Sequence, residues 1–220
     1  MSADATAAQR MDRIYRNQRH IYDLTRKYFL LGRDRLIERL DAGPGDAVLE
    51  IGCGTGRNLI VAARRYPRSR FFGLDISSVM LGSATKAIAR AQLSSRVVVA
   101  RADATRFDPL DLFGEPRFAR VFLSYSLSMI PAWEAVLDNA IRLLAASGEL
   151  HVIDFGPQEK LPSWFATGLR SWLSLFEVAP RDDLECQLMW LAEGAGAQVA
   201  VERPYGGYAQ YAIVRWRPSR

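Results

Sequence analysis

Apolar positions along the chain fall into two alternating periods. Val48, Leu49 and Ile51 make a short, nearly continuous apolar run, the pattern of a strand covered on both faces. Similar runs recur in "RFFGLDI" (70–76), "RVVVARAD" (96–103), "RFARVFLSYSL" (117–127) and "GELHVIDF" (148–155). Between them, "SVMLGSATKAIARAQL" (78–93) and "AWEAVLDNAIRLLA" (132–145) space their apolar residues as amphipathic helices do. Strands alternating with helices over short connections predict an α/β fold with a doubly wound, mostly parallel sheet. The end of the chain departs from this rhythm. "AQVAVERPYGGYAQYAIVRWR" (197–217) reads as two strands joined by a Gly-Gly turn, a β-hairpin that closes one sheet edge. Residues 8–40 read as helical, in two helices broken near Gly32. The turn "DAGPGDA" (41–47) separates this helical cap (1–40) from the rest (41–220), with no repeat or low-complexity tract to mark a second domain.

Charge changes the picture at one place. Residues 10–40 hold nine Arg or Lys against four acids, a balance of +5 that equals the net charge of the whole chain. A basic leading segment interleaved with Ile and Tyr suits an anionic surface, membrane or nucleic acid, though a solvated helix face has the same composition. No apolar run reaches membrane-spanning length, and the N-terminus lacks the apolar centre of a signal peptide. Two cysteines, Cys53 and Cys186, lie far apart without metal-ligand spacing, so a reduced, cytoplasmic compartment is expected and no metal site.

Candidate chemistry begins where the first strand ends. In "VLEIGCGTGRN" (48–58), Gly52, Gly54 and Gly56 mark a tight turn at the strand's carboxyl end, where ligands bind in such sheets. A dinucleotide fingerprint would place a glycine where Arg57 stands, and a P-loop would need G-K-[ST]; neither is present. Asp75 ends the second strand, 19 residues after Gly56. Its carboxylate can accept both hydroxyls of a ribose, or it can cap the helix that follows, as Ser77 and Ser78 also can.

"E-x-G-C-G-T-G" after a hydrophobic strand resembles motif I of the class I S-adenosylmethionine-dependent methyltransferases. That resemblance implies a Rossmann-like, seven-stranded, mostly parallel sheet with a C-terminal antiparallel hairpin. It also implies S-adenosylmethionine as methyl donor, with its methionine end over Gly52, Cys53, Gly54, Thr55 and Gly56, and with Glu50 supporting the turn. Arg33 and Asn58 join this half of the site. Asp75 and Ile76 then take the ribose side, with Ser77, and Met80 lies near the adenine or in the core. Asp103, with Ala104 alongside, meets the adenine amino group, or else is an ordinary turn acid. The fourth motif falls on "FLSYSLSMIP", so Ser124, Tyr125 and Ser126 line the floor beside the sulfonium. The N-P-P-Y of many base and glutamine methyltransferases is absent there. Cys53 reads as a buried thiol within the turn, not as a nucleophile.

The leading segment "RIYRNQRHIYDLTRKYFLLGRDRLI" carries a finer resemblance, to bacterial betaine-lipid N-methyltransferases, with phosphatidylethanolamine N-methyltransferases as the neighbouring group. It implies successive N-methylation of diacylglycerylhomoserine to its trimethylated form. The partners implied are a lipid with an amino headgroup and an anionic membrane surface, met by the basic segment at the inner face of the membrane, and not nucleic acid. A small-molecule or RNA methyltransferase would keep the same core. A site that holds an amine first and a quaternary ammonium last suits aromatic faces. Tyr15, Tyr22, Tyr28, Tyr125 and Tyr208 are the candidates, with His151 and Asp154 as groups able to take a proton or face the charge. His151, inside a strand, also reads as a satisfied core histidine. Arg26, Lys27 or Arg33 could meet the acceptor's carboxylate. "EKLPSWFATGLRSWLSLFEVAP" (159–180) reads as a core-facing helix, an acyl-chain groove or an interfacial belt.

Overall fold

A computed structural model describes residues 29–216. Strand β1 (Ala47–Ile51) is buried along its whole length, as its unbroken apolar character requires. It lies at the centre of a seven-stranded sheet with β2 (Arg70–Asp75), β3 (Val97–Arg101), β4 (Phe118–Ser124), β5 (Leu144–Phe155), β6 (Ala197–Glu202) and β7 (Ala209–Trp216), in the order β3-β2-β1-β4-β5-β7-β6. β1 to β5 pair in parallel. β7 runs antiparallel to β5 and to β6. The expected hairpin is therefore present, with β6 at the edge and β7 slotted beside β5. Its connection is a 3-10 turn, Tyr205–Gly207, in which Gly206 and Gly207 hold φ of 68° and 81°.

Helices α1 (Arg33–Arg39), α2 (Arg57–Arg65), α3 (Ser78–Arg90) and α6 (Ser163–Ser174) contribute apolar side chains to one face of the sheet. On the other face lie α5 (Trp133–Arg142) and α7 (Leu184–Ala195), with Phe113 of the short α4 (Pro109–Phe113). The periodicity of 132–145 predicts a helix to Ala145, yet α5 ends at Arg142 and β5 starts at Leu144. The cause is a bulge: Phe118 pairs with Leu144, but Arg120 pairs with Glu149. Gly148 is required there, because a Cβ would lie 2.9 Å from the Phe118 carbonyl.

The strand order reverses between β1 and β4, which opens a crevice at their carboxyl ends. Residues 29–32 run beside it and are pinned by two tyrosines. The Tyr125 hydroxyl donates to the Leu31 carbonyl at 2.7 Å, and the Tyr208 hydroxyl donates to that of Phe29 at 2.9 Å. Gly32, at φ 82°, then turns the chain into α1, and its backbone passes so close to Ile153 that a Cβ would sit 2.7 Å away. The break predicted near Gly32 is thus the start of α1. The helix predicted before it lies outside the described residues.

Candidate functional site

The glycine turn is built by close packing. Gly52, Gly54 and Gly56 hold φ of 76°, 53° and 75°, the left-handed region that side chains avoid. A Cβ on Gly52 would meet the Cβ of Ser126 at 2.6 Å. Ser126 itself donates to the Ile51 carbonyl at 3.1 Å, so β1 and the segment after β4 are locked together at this point. Gly56 ends the turn as N-cap of α2 and packs on Ala84 of α3. Glu50 is buried and accepts from the amide of Asn58 at 2.8 Å, which ties the strand to the first turn of α2.

Over this turn opens a cleft of about 290 Å³, lined by Leu30, Arg33, Glu50, Gly52, Cys53, Gly54, Thr55, Arg57, Asn58 and Ser124. Eight of the residues assigned to the cofactor from sequence meet here. Leu30 and Arg57 are additions. Arg57 binds Asp34 at 2.7 Å, which links α2 to α1 and holds the Asp34 carboxyl below its ordinary pKa. Cys53 packs behind the turn against Gly73, and burial pushes its thiol pKa well up, as suits a filler and not a nucleophile.

Asp75 is held by two backbone N–H groups. One carboxylate oxygen accepts from the Gly54 N–H at 2.8 Å and the other from the Ser77 N–H at 2.9 Å. The cap of α3 is Ser77, whose hydroxyl accepts from the Met80 N–H. Asp75 is half-buried and tethers the glycine turn to β2. Ile76 is half-buried beside it. Asp103, two residues beyond β3, accepts from the Thr105 N–H and hydroxyl, both at 2.8 Å, in a side-chain-closed turn. The adjoining Ala104 carbonyl accepts from Asn139 at 3.0 Å. The Ala102 N–H donates to the Asp75 carbonyl, so the ends of β2 and β3 lie side by side.

Four sequence assignments fall elsewhere. Ser77 and Met80 are fully buried, one as helix cap and the other as packing, so neither faces the cleft. His151 lies mid-strand between the Tyr211 hydroxyl (2.7 Å) and Glu149 (3.1 Å). Burial lowers its pKa, and it is the satisfied core histidine of the two readings. Asp154 is fully buried and accepts from the backbone N–H groups of Ser128 (3.1 Å) and Phe155 (2.8 Å). Burial raises its pKa to about 6. It fixes the 3-10 turn Leu127–Met129 after β4 and reaches neither cavity. Tyr15, Tyr22, Tyr28, Arg26 and Lys27 lie outside the described residues.

Tyr125 is the strained member. Its φ of 56° is costly for an aromatic residue and is held by its N–H to the Ile153 carbonyl, by its hydroxyl bond to Leu31 and by an edge-on contact with Phe155. Its ring lines a second, narrow crevice of about 20 Å³ with Phe29, Leu30, Ser128, Met129, Phe155, Trp172, Leu173, Phe176 and Val178. Leu30 lines both cavities, and the adjacent residues Ser124 and Tyr125 line one each. A polar cleft and an aromatic crevice thus share a wall at the carboxyl end of β4.

The cofactor implied by motif I fits on two observations. The backbone of Gly52 and Gly54 lines the cleft where a ligand's polar end would lie, and the buried Ser124 hydroxyl, beside the cleft, has no hydrogen-bond partner. Sequence reasoning missed Gln158. It lies just past β5 at φ 64°, 2% exposed, with neither amide oxygen nor nitrogen paired. Its only signal was its position at the end of a strand.

Comparison with known proteins agrees with this geometry. Residues 48–148 match the family described as a methyltransferase domain. The nocamycin O-methyltransferase of Saccharothrix syringae is 32% identical over 162 residues, 73% of this chain and 56% of that protein. The ribosomal RNA small subunit methyltransferase C of Stutzerimonas stutzeri is 31% identical over 125 residues, 56% of this chain and 36% of that protein. The chain thus spans between about a third and somewhat over half of these curated relatives. The geranyl diphosphate C-methyltransferase of Streptomyces coelicolor A3(2), solved with Mg2+, geranyl diphosphate and S-adenosyl-L-homocysteine, superposes with a TM-score of 0.61 at 15% identity, covering 83% of this chain and 76% of that one.

Proposed function

We propose that this chain, whose residues 48–148 match a methyltransferase domain, is a class I S-adenosylmethionine-dependent methyltransferase that N-methylates the amino headgroup of a lipid, converting diacylglycerylhomoserine stepwise to its trimethylated form. The observation that carries this reading is the shared wall. A cleft suited to a charged amino-acid end lies against a crevice made almost wholly of apolar and aromatic side chains, and Leu30 belongs to both. With the cleft taken by the donor, the aromatic wall beside it offers an apolar surface against which the acceptor's nitrogen and apolar body would lie.

S-adenosylmethionine is the methyl donor of the family and supplies an electrophilic methyl group when bound. Arg33, Gly52, Gly54 and Asn58, which line the cleft, would hold its methionine end, and Asp75, bonded to the Gly54 N–H, would take its ribose. Positioning does most of the work in a displacement of this kind. The chain's part is to hold the acceptor nitrogen in line, unprotonated and away from bulk water. Among the described residues the aromatic crevice has no carboxylate and no imidazole in its lining. The rising positive charge on nitrogen would meet ring faces such as those of Tyr125 and Phe155. The leading segment, with Tyr15, Tyr22 and Tyr28, joins the described chain at Phe29, beside this crevice.

The test offers purified protein and labelled donor to diacylglycerylhomoserine, to phosphatidylethanolamine and to small-subunit ribosomal RNA. Label in the first, resolving into one, two and three added methyls, is the expected result. Label confined to the phospholipid would assign the neighbouring lipid substrate. Label in the RNA alone would overturn the lipid reading in favour of the activity named for the Stutzerimonas relative.

A further inference from the structure

We propose that helix α6 is the membrane-docking element of this protein, its outward face lying in the interface of an anionic bilayer. The proposal deepens the lipid reading and rests on it for the substrate, but docking itself is measured separately.

The helix has two unlike faces. Inward, Leu169 and Leu173 are buried, and Leu173 with Trp172 lines the aromatic crevice. Outward, Trp164 is 74% exposed, Leu175 71% and Phe165 37%. Trp164 and Leu175 are eleven residues apart, so at about 100° per residue they project within about 20° of one another. Gly168 and Ser171 lie exposed along the same line. The one charged residue between Ser163 and Leu175 is Arg170, and it is turned aside onto Asp182 at 2.8 and 3.0 Å. A helix facing water carries charge on its outer face. α7 does so: its exposed Met189 and Trp190 are followed by the exposed Glu193. The outer face of α6 has hydroxyls, a glycine, two aromatics and a leucine, the composition of a helix seated at a membrane interface.

Charge says what covers that face. The ring of Phe29 packs on Trp172 with centroids 4.9 Å apart, so the chain enters the described structure against α6. Residues 10–28, which lead into Phe29, hold six Arg or Lys against two Asp. An uncharged aromatic face on a chain whose preceding segment carries an excess of cations in its sequence complements an anionic lipid surface. A second copy of the chain would bring the same positive charge against itself. The crevice lies on the inner side of the same helix, so a lipid could pass from bilayer to site beneath α6 without its acyl chains crossing water.

The experiment uses the full chain and vesicles of phosphatidylglycerol and phosphatidylcholine. Partition is measured by co-sedimentation at roughly 0.5 M salt, where the attraction of the basic segment is screened. The pair Trp164→Glu with Leu175→Glu should lower partition on the order of tenfold or more. The uncharged pair Trp164→Ser with Leu175→Ser should lower it in the same direction. Both pairs should leave the melting curve and donor affinity unchanged, because the replaced side chains are exposed. Met189→Glu with Trp190→Glu, on the other face of the sheet, should leave partition unaltered. Brominated lipid should quench tryptophan emission in the wild type and not in Trp164→Phe. Unchanged partition in the α6 pairs, or an equal loss in the α7 pair, would overturn the proposal. So would a wild-type dimer in sedimentation that the α6 pairs dissociate without vesicles. Docking that survives while no lipid is methylated would overturn the substrate reading alone. Methylation of a short-chain, water-soluble acceptor by an α6 pair that no longer docks would support both.

Discussion

Asp75 offers a test in which a structural role and a ligand role can be separated by number. Its carboxylate accepts from two backbone N–H groups, of Gly54 and Ser77, at 2.8 and 2.9 Å. Hydrogen bonds to an ionised acceptor contribute roughly 1.5–3 kcal/mol each when buried, and less here because the residue is half-buried. Asp75→Ala should therefore cost the free protein about 2–3 kcal/mol, which for a chain of this length lowers the melting midpoint by about 5–10 °C. The protein still folds, since domains of this size hold about 5–15 kcal/mol. Affinity should also fall, but a loosened Gly54 would weaken binding whether or not Asp75 touches the ribose. The discriminating measurement is a cycle. Calorimetry compares S-adenosylhomocysteine with its 2′-deoxy analogue in wild type and in Asp75→Ala. A hydroxyl bonded to the carboxylate makes the deoxy analogue about ten- to a hundredfold weaker in wild type. That penalty should vanish in the variant. The same penalty in both proteins would refute ribose binding by Asp75 and leave it as the tether of the glycine turn alone.

Gly52→Ala should abolish donor binding and destabilise the fold by about 3 kcal/mol, because it forces a side chain to φ 76° and sets its Cβ 2.6 Å from that of Ser126; a denaturant melt matching wild type would contradict this packing. Gln158→Leu should raise stability by about 1 kcal/mol, since it removes a buried amide whose oxygen and nitrogen lack partners; a lower midpoint in chemical unfolding would show that the amide is satisfied in solution. Asp154 has a folded pKa near 6 against an ordinary 3.8, so its contribution is fully present below pH 4 and is lost as pH rises through 6. The stability of Asp154→Asn relative to wild type should accordingly rise by about 3 kcal/mol between those limits and then level off, and a flat difference between urea midpoints across that range would exclude a raised pKa. Glu149, held near 2 by His151 and Arg215 despite partial burial, works in the opposite sense and loses its contribution as pH falls below about 4.5, so Glu149→Gln should flatten the acid limb of the stability profile.

The parts of this molecule that were legible in sequence are those where one local constraint dictates both residue and position. The central strands could be read because burial on two faces favours an unbroken apolar run, and the edge strand β3 and the hairpin because of their β-branched runs and Gly-Gly turn. The cofactor cleft could be read because only glycine tolerates φ near 75° with Ser126 and Ala84 in contact. Where the determinant is a long-range partner, reading failed. α7 escaped notice because Met189 and Trp190 face outward and blur the period. α5 was drawn too long because the bulge that ends it is set by Phe118, some 25 residues earlier. His151 and Asp154 carry the residue types of catalysis, yet their roles were fixed by Tyr211, Glu149 and Ser128, none identifiable as partners without the register of β5 against β7 and the turn after β4.

The crevice proposed for the acceptor is harder to read for the same reason. It draws on Phe29, Tyr125, Phe155, Trp172 and Phe176, five aromatics from four separate segments with no spacing in common. A cofactor shared by many enzymes imposes one turn on the backbone, so its signature survives as a contiguous motif. An acceptor that differs from enzyme to enzyme is met by side chains that the fold happens to bring together, and those leave only composition behind. The charge-free outer face of α6 was visible in sequence as an aromatic stretch, but its meaning depended on knowing which of its rings turn inward. Trp172 does and Trp164 does not. That single distinction separates a core helix from one that lines a crevice on one side and leaves an uncharged aromatic face on the other.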